Sequence, residues 1–175
     1  MRKLLTIFPL LLILCFMVGC NCNIDCKSLK AKAELEEMNL ELVRQMWTEW
    51  NNRNIEFFMK VHDSAEYVFI SPINNPNPMS HKEFIEDQKR IWEEMPDVTI
   101  NIEELMATGD KVITTYIYKG THSKEYYEIP ATGNKIETSS INIIRIKDGK
   151  IIEERENFDD LSEAFQLGME LKSKE

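Results

Sequence analysis

The sequence predicts an α+β domain whose N-terminal helices pack on one face of a curved antiparallel sheet. Three observations predict it. Apolar residues recur at spacings of three and four before Glu94; the period falls to two after Asp97; and Asp148-Gly149 separates two β-rich runs. Helices first and strands later segregate the helices to one sheet face.

From Ser28 to about Arg53 the chain is rich in Ala, Leu, Glu, Lys and Met, all good helix formers. Leu35, Met38, Leu42, Met46 and Trp50 form one apolar stripe along it. Ile55 to Val61 reads as a second short helix, and Ala65 to Ser71 as a first strand. Residues 72–78 hold three prolines and three asparagines and form a loop. Ser80 followed by Glu83 is a capping-box pattern that opens a helix to about Glu94, which Pro96 stops. Val98, Ile100 and Ile102 then alternate with polar residues, and Gly109-Asp110 turns the chain into Val112–Tyr118. Ile136 to Ile146 is β-branched, and the Asp148-Gly149 hairpin returns it through Ile151 and Ile152 to Phe158.

The start of the chain has a different character. Arg2 and Lys3 precede an uncharged run, Leu4 to Val18, that is short for a membrane-spanning helix. These are the parts of a secretory signal peptide. Met17-Val18-Gly19-Cys20 resembles a bacterial lipobox, in which cleavage precedes a cysteine that takes lipid. The expected organisation is therefore a signal peptide at 1–19, a lipidated tether at 20–30 and one domain at 31–175. Acyl chains on Cys20 would hold the protein at the bacterial cell envelope, exported and anchored, through roughly 0.8 kcal/mol per buried CH₂. Cys22 and Cys26 are then tether residues, a small disulfide, or an incomplete zinc site lacking a nearby histidine. No cysteine lies beyond residue 26, so the domain has no thiol nucleophile.

Composition narrows the chemistry. The net charge is −9, from 21 Lys+Arg against 30 Asp+Glu, and a broad nucleic-acid surface is excluded. Removal of the signal takes two basic residues and leaves the body more acidic still. There is no Gly-rich phosphate loop, no HExxH and no Gly-x-Ser-x-Gly elbow, and His62, His81 and His122 stand singly. Metal and nucleotide chemistry are thus not expected, and acid–base chemistry on a small molecule remains.

From Trp50-Asn51 onward a series of landmarks lines up. They are Met95-Pro96-Asp97, Ala107-Thr108-Gly109-Asp110-Lys111-Val112, Gly120-Thr121-His122, Ile129-Pro130-Ala131-Thr132-Gly133, Arg145 to Ile151, and Asn157-Phe158-Asp159-Asp160-Leu161 through Gln166-Leu167-Gly168. In order and spacing this series resembles the SnoaL-like polyketide cyclases. The resemblance implies the cone-shaped NTF2-like fold, with a bent sheet and helices around one pocket. It also implies cofactor-free ring closure by intramolecular aldol reaction, with Asp159 matching the family's acid/base aspartate.

The resemblance implies further site residues, each with a competing account. Asp159 is either the base or the N-cap of a final helix. Asp160 either points to the opposite face or begins that helix. His122 either donates to an enolate oxygen or is satisfied at the sheet edge, and Arg145 is either a ligand contact or an ordinary ion pair. Parity puts Glu153, Arg155, Asn157 and Asp159 on one strand face, with Arg155 where the family usually has tryptophan. That reading gives a cationic wall and an anionic or more polar ligand, while Glu153, Glu154 and Glu156 otherwise read as a solvated face. Glu125-Tyr126-Tyr127-Glu128 replaces a smaller segment and reshapes the pocket mouth.

Three functions are compatible with one fold: a cofactor-free cyclase or related acid–base enzyme, a silent small-molecule-binding lipoprotein, and an interaction module using the outer sheet face for a homodimer or another partner. Asp159 inside a closed cavity would favour the first; Asp159 facing solvent or only capping a helix would count against it. Labelled fatty acid should enter the wild-type protein and not Cys20→Ser; equal incorporation into both would remove the lipoprotein assignment.

Overall fold

The computed structural model describes residues 22–125 and 129–172, without the side chains of residues 22–25. The expected signal peptide, Cys20 and residues 126–128 of the reshaped mouth lie outside the described residues. The chain divides into two units, Met1–Glu34 and Leu35–Glu175. In the first, the described residues form the beginning of helix α1 (Cys22–Asn51), which starts earlier than Ser28, with Cys26 exposed on it. Among the described residues no helix is long and apolar enough to cross a membrane.

The second unit is the α+β arrangement expected. After α1 come α2 (Ile55–Val61), β1 (Val68–Ile70), β2 (Met79–Ser80), α3 (His81–Glu94), β3 (Thr99–Thr108), β4 (Lys111–Thr121), β5 (Lys135–Lys147), β6 (Lys150–Phe158) and α4 (Asp160–Gln166). The six strands form one sheet in the order β2-β1-β6-β5-β4-β3. Every pairing is antiparallel except β1 with β6, which is parallel. The sheet is thus mostly antiparallel, as expected, and the one parallel pair arises because β1 is reached through helices and not by a hairpin, which leaves its direction free.

Local chemistry explains the elements. Asp148 and Gly149 both take positive φ, 51° and 73°, the type I′ geometry whose twist suits a hairpin. Ser80 caps α3 by accepting the Glu83 N–H, and the Glu83 carboxylate accepts the Ser80 N–H at 2.8 Å. The α1 stripe is rotated from the expected one. Val43, Met46, Trp47 and Trp50 are buried, while Leu35 and Met38 remain 46% and 69% exposed. Position along the helix decides this: the buried face begins only near Asn39, whose side chain donates to the Gly109 carbonyl at 3.1 Å.

Several of the family-like landmarks are fixtures of the frame. Asn51 exchanges two hydrogen bonds with the backbone of Ile100, both 2.8 Å, docking α1 on β3. Asp97 receives the Thr121 N–H at 2.8 Å and its hydroxyl at 2.6 Å. Gly120 lets β4 pass close to Val98: a Cβ there would stand 3.2 Å from three atoms of that buried residue, which would have to give way slightly. Replacing Ser80 by Ala removes one half of the capping box and should cost about 1 kcal/mol in urea unfolding, with an unchanged m-value. No loss of stability would show that the box contributes nothing.

Candidate functional site

A cavity of about 260 Å³ opens between the inner sheet face and the helices. Its walls are mainly aromatic and aliphatic: Trp47 and Trp50 from α1, Phe58 from α2, Phe69 from β1, Phe84 and Ile91 from α3, and Tyr116 and Tyr118 from β4. Five carboxyl groups also line it: Asp87, Glu154, Glu156, Asp160 and Glu163. Among the described residues no lysine, arginine or histidine does. Among the described residues, no group of three or more His, Cys, Asp or Glu is arranged to hold a metal ion.

The carboxylates reach the cavity through a break in register. Arg145 pairs with Glu153, and the next pair is Ile146 with Ile151, so Ile152 is an extra residue in β6. Ile151 and Ile152 are both buried, and the alternation then restarts with Glu154, Glu156 and Phe158 facing inward. Glu153, Arg155 and Asn157 do share a face, as parity predicts, but it is the outer one. The cationic wall is thereby corrected: Arg155 is bound to Glu153 at 3.0 Å outside the cavity, and Arg145 joins the same Glu153 at 3.4 Å. The solvated face assigned to Glu154 and Glu156 is corrected too, since both line the cavity.

The other sequence-predicted residues also lie away from it. Asp159 is exposed and caps α4, its carboxylate accepting the Ser162 N–H at 3.0 Å. Asn157 accepts the Ile73 N–H at 3.1 Å. His122 is fully buried at the end of β4, with its Nδ1 at 3.0 Å from the Thr132 hydroxyl and accepting the Thr132 N–H at 3.3 Å. These bonds tie Thr132 to the end of β4. Asp160 begins α4 and lies at the exposed rim of the cavity.

Glu154 is the most enclosed carboxyl, 1% exposed. It accepts the Tyr67 hydroxyl at 2.9 Å and the Asn142 amide at 2.8 Å. These bonds favour the charged form, yet burial outweighs them and pushes its pKa up to about 7. His62 Nε2 lies 3.4 Å from the same carboxyl, but burial, helped by His81, drives the His62 pKa down to about 3. The contact is therefore one between an uncharged imidazole and a carboxyl, and not an ion pair. Glu156 accepts the Tyr116 and Ser140 hydroxyls, and burial raises its pKa as well. Glu153, on the outer face of the same strand, is held below its ordinary value, first by the hydrogen bond from Arg155.

Glu163 comes from α4, which is clasped to β5. Gln166 donates to the Glu137 carbonyl at 2.9 Å and accepts its N–H at 2.7 Å. Glu163 is 8% exposed, its Oε1 has no hydrogen-bond partner, and burial plus the nearby Asp160 raise its pKa to about 7. Period two alone groups Glu154 with Glu156 on one face of β6, but which face turns inward depends on the extra Ile152.

A family model described as SnoaL-like polyketide cyclase matches residues 41–167. Among solved structures, a candidate SnoaL-like polyketide cyclase from Jannaschia sp. CCS1 is similar at TM-score 0.70 and 17% identity, over 78% of this chain and 96% of that one. IdmH of Streptomyces antibioticus, a candidate polyketide cyclase, gives TM-score 0.64 and 23% identity over 74% and 97%. AclR of Streptomyces galilaeus, a candidate hydroxylase, gives 0.65 and 22% over 78% and 97%. At these identities the likeness is one of fold, the NTF2-like arrangement. No curated protein sequence matches the chain.

The buried carboxyls couple stability to pH. Glu163 protonates near 7 when folded and near 4.5 when unfolded, so the unfolded chain loses its proton first and stability falls as pH rises between those values. Glu154 acts in the same direction, whereas His62 adds stability between about pH 3 and 6.5. Glu163→Gln should match the wild type in urea at pH 5 and exceed it at pH 8 by on the order of 2 kcal/mol. An equal difference at both pH values would refute the buried, proton-holding Glu163.

Proposed function

The chain belongs to the SnoaL-like polyketide cyclase family, and from that premise we propose that it is an acid–base enzyme acting on a small carbonyl compound held in the cavity. The observation that carries this reading is the presence of two carboxyls, Glu154 and Glu163, each with a pKa near 7, on one apolar cavity. A group that titrates at the working pH can both take and return a proton. Their environments divide the roles. Glu154 receives two hydrogen bonds that support its ionised form, so it is the base. Glu163 lacks a partner on Oε1 and faces the charge of Asp160, so it keeps its proton and is the acid.

A carbon flanked by carbonyl groups is already acidic. Glu154 takes its proton as Glu163 gives one to the carbonyl oxygen, and an enol results that can attack a second carbonyl of the same molecule. Protons balance, and neither step calls on a group beyond this chain. The lipid-anchored, envelope location expected from Cys20 is part of the proposal and separates the protein from reactions inside the cell. The exposed cap at Asp159 favours a second reading, a binding lipoprotein without turnover, because the aspartate implied by the resemblance is committed to the helix.

Deuterium exchange at the α-carbon of a β-keto ester, followed by NMR, separates the two. The wild type should accelerate exchange, and Glu154→Gln should lose about 10²–10⁴-fold of that acceleration. Exchange equally fast in Glu154→Gln, or no acceleration by the wild type, overturns the enzyme reading.

A further inference from the structure

The charge of the cavity does not suit the anionic substrate that an arginine wall would have implied. We propose that it selects a small organic cation, a protonated amine, seated against its aromatic walls with Glu156 as counter-charge. This deepens the proposed function and rests on the cavity being the substrate site.

Two unsatisfied groups lead to it. Glu163 Oε1 and Asn142 Oδ1 are both without hydrogen-bond partners, on residues only 8% and 1% exposed that line the cavity. An amide oxygen can only accept, and so can the carbonyl oxygen of a protonated carboxyl. Leaving buried acceptors unpaired is costly, so the cavity is short of donors. An ammonium group brings up to three.

Charge points the same way. Asp87 is answered by Arg90 of the same helix, but among the described residues no basic side chain lines the cavity to answer Glu154, Glu156, Asp160 or Glu163. Burial raises the pKa of each of the four, as it does where a carboxylate lacks a counter-ion. A cation in the cavity lowers that cost, whereas an anion raises it. The walls add a third contribution. Trp47 and Tyr116 lie 5.0 Å apart between centroids, and Trp50 and Tyr118 6.4 Å, and all four residues line the cavity. Aromatic faces attract a desolvated cation. Size limits the ligand: a cavity of about 150 Å³ holds one benzene ring, so about 260 Å³ admits one or two rings and not a long fused system.

Benzylamine, benzyl alcohol and benzoate share a ring and differ in charge, and titration of the full chain with each at pH 7.5 tests the proposal. Protonated benzylamine should bind about 10-fold or more tighter than benzyl alcohol, and benzoate should not saturate. Glu156→Gln should lower the amine affinity about 5- to 10-fold and leave the alcohol within about twofold. Glu37→Gln removes the same charge from the exposed face of α1 and should change neither. Alcohol or benzoate binding as tightly as the amine, no saturable binding of the amine, or a preference unaffected by Glu156→Gln each overturns the proposal. Exchange of a neutral β-keto ester without an amine preference would sink this inference and leave the acid–base reading standing. An amine preference with no exchange would do the reverse.

Discussion

One extra residue in β6 governs the interior. Had the β5–β6 ladder continued without a break after Ile146–Ile151, period two would have turned Glu153, Arg155 and Asn157 into the cavity. The unpaired Ile152 reverses the phase. Three arms of the outer face, Arg145, Glu153 and Arg155, then satisfy one another near solvent. The inner face receives carboxyls with no cation to meet them. The inward placement of Glu154 and Glu156, and with it their raised pKa values, follows from that single insertion, because the β6 side chains beyond it change sides together.

The cost of burying acids is limited here in two ways. Tyr67, Asn142, Tyr116 and Ser140 donate hydrogen bonds to Glu154 and Glu156, so these carboxyls are solvated by the protein. Proton uptake removes what charge remains too costly. The polar floor is held by a stiff surround, in which Trp50 Nε1 donates to Gln88 at 2.8 Å and His62 stacks on Tyr67 at 4.3 Å. A cavity so fixed presents its acids to a ligand in one geometry. Preorganisation of that kind serves either tight binding or proton transfer.

Much of the frame was legible before any coordinate. The Ser80–Glu83 box, the Ile55–Val61 helix and the Asp148-Gly149 hairpin depend on neighbours in sequence, and local chemistry determines them. The family-like landmarks were equally visible, but Asn51, Asp97, Gly120 and His122 turned out to join elements and not to face the cavity. The acids were misplaced for a physical reason. Period two assigns faces only while the ladder is regular, and nothing in Lys150-Ile151-Ile152-Glu153 announces a bulge. Asp159 and Asp160 illustrate the same limit, since the strand-to-helix change between them decides which one caps and which one reaches the rim.

The clasp between Gln166 and residue 137 has a consequence for how the sequence is free to drift. Gln166 reads only the backbone N–H and carbonyl at 137, while the Glu137 side chain is engaged elsewhere, 3.0 Å from Lys119 near solvent. One position thus serves two masters through different atoms. Substitution at 137 can retune the surface without loosening α4, provided the newcomer is not proline. Position 166 has no such latitude, because only a primary amide both gives and accepts in that spacing. Variation in this protein should therefore be lopsided across the contact, with the partner that looks more prominent on the surface being the more replaceable.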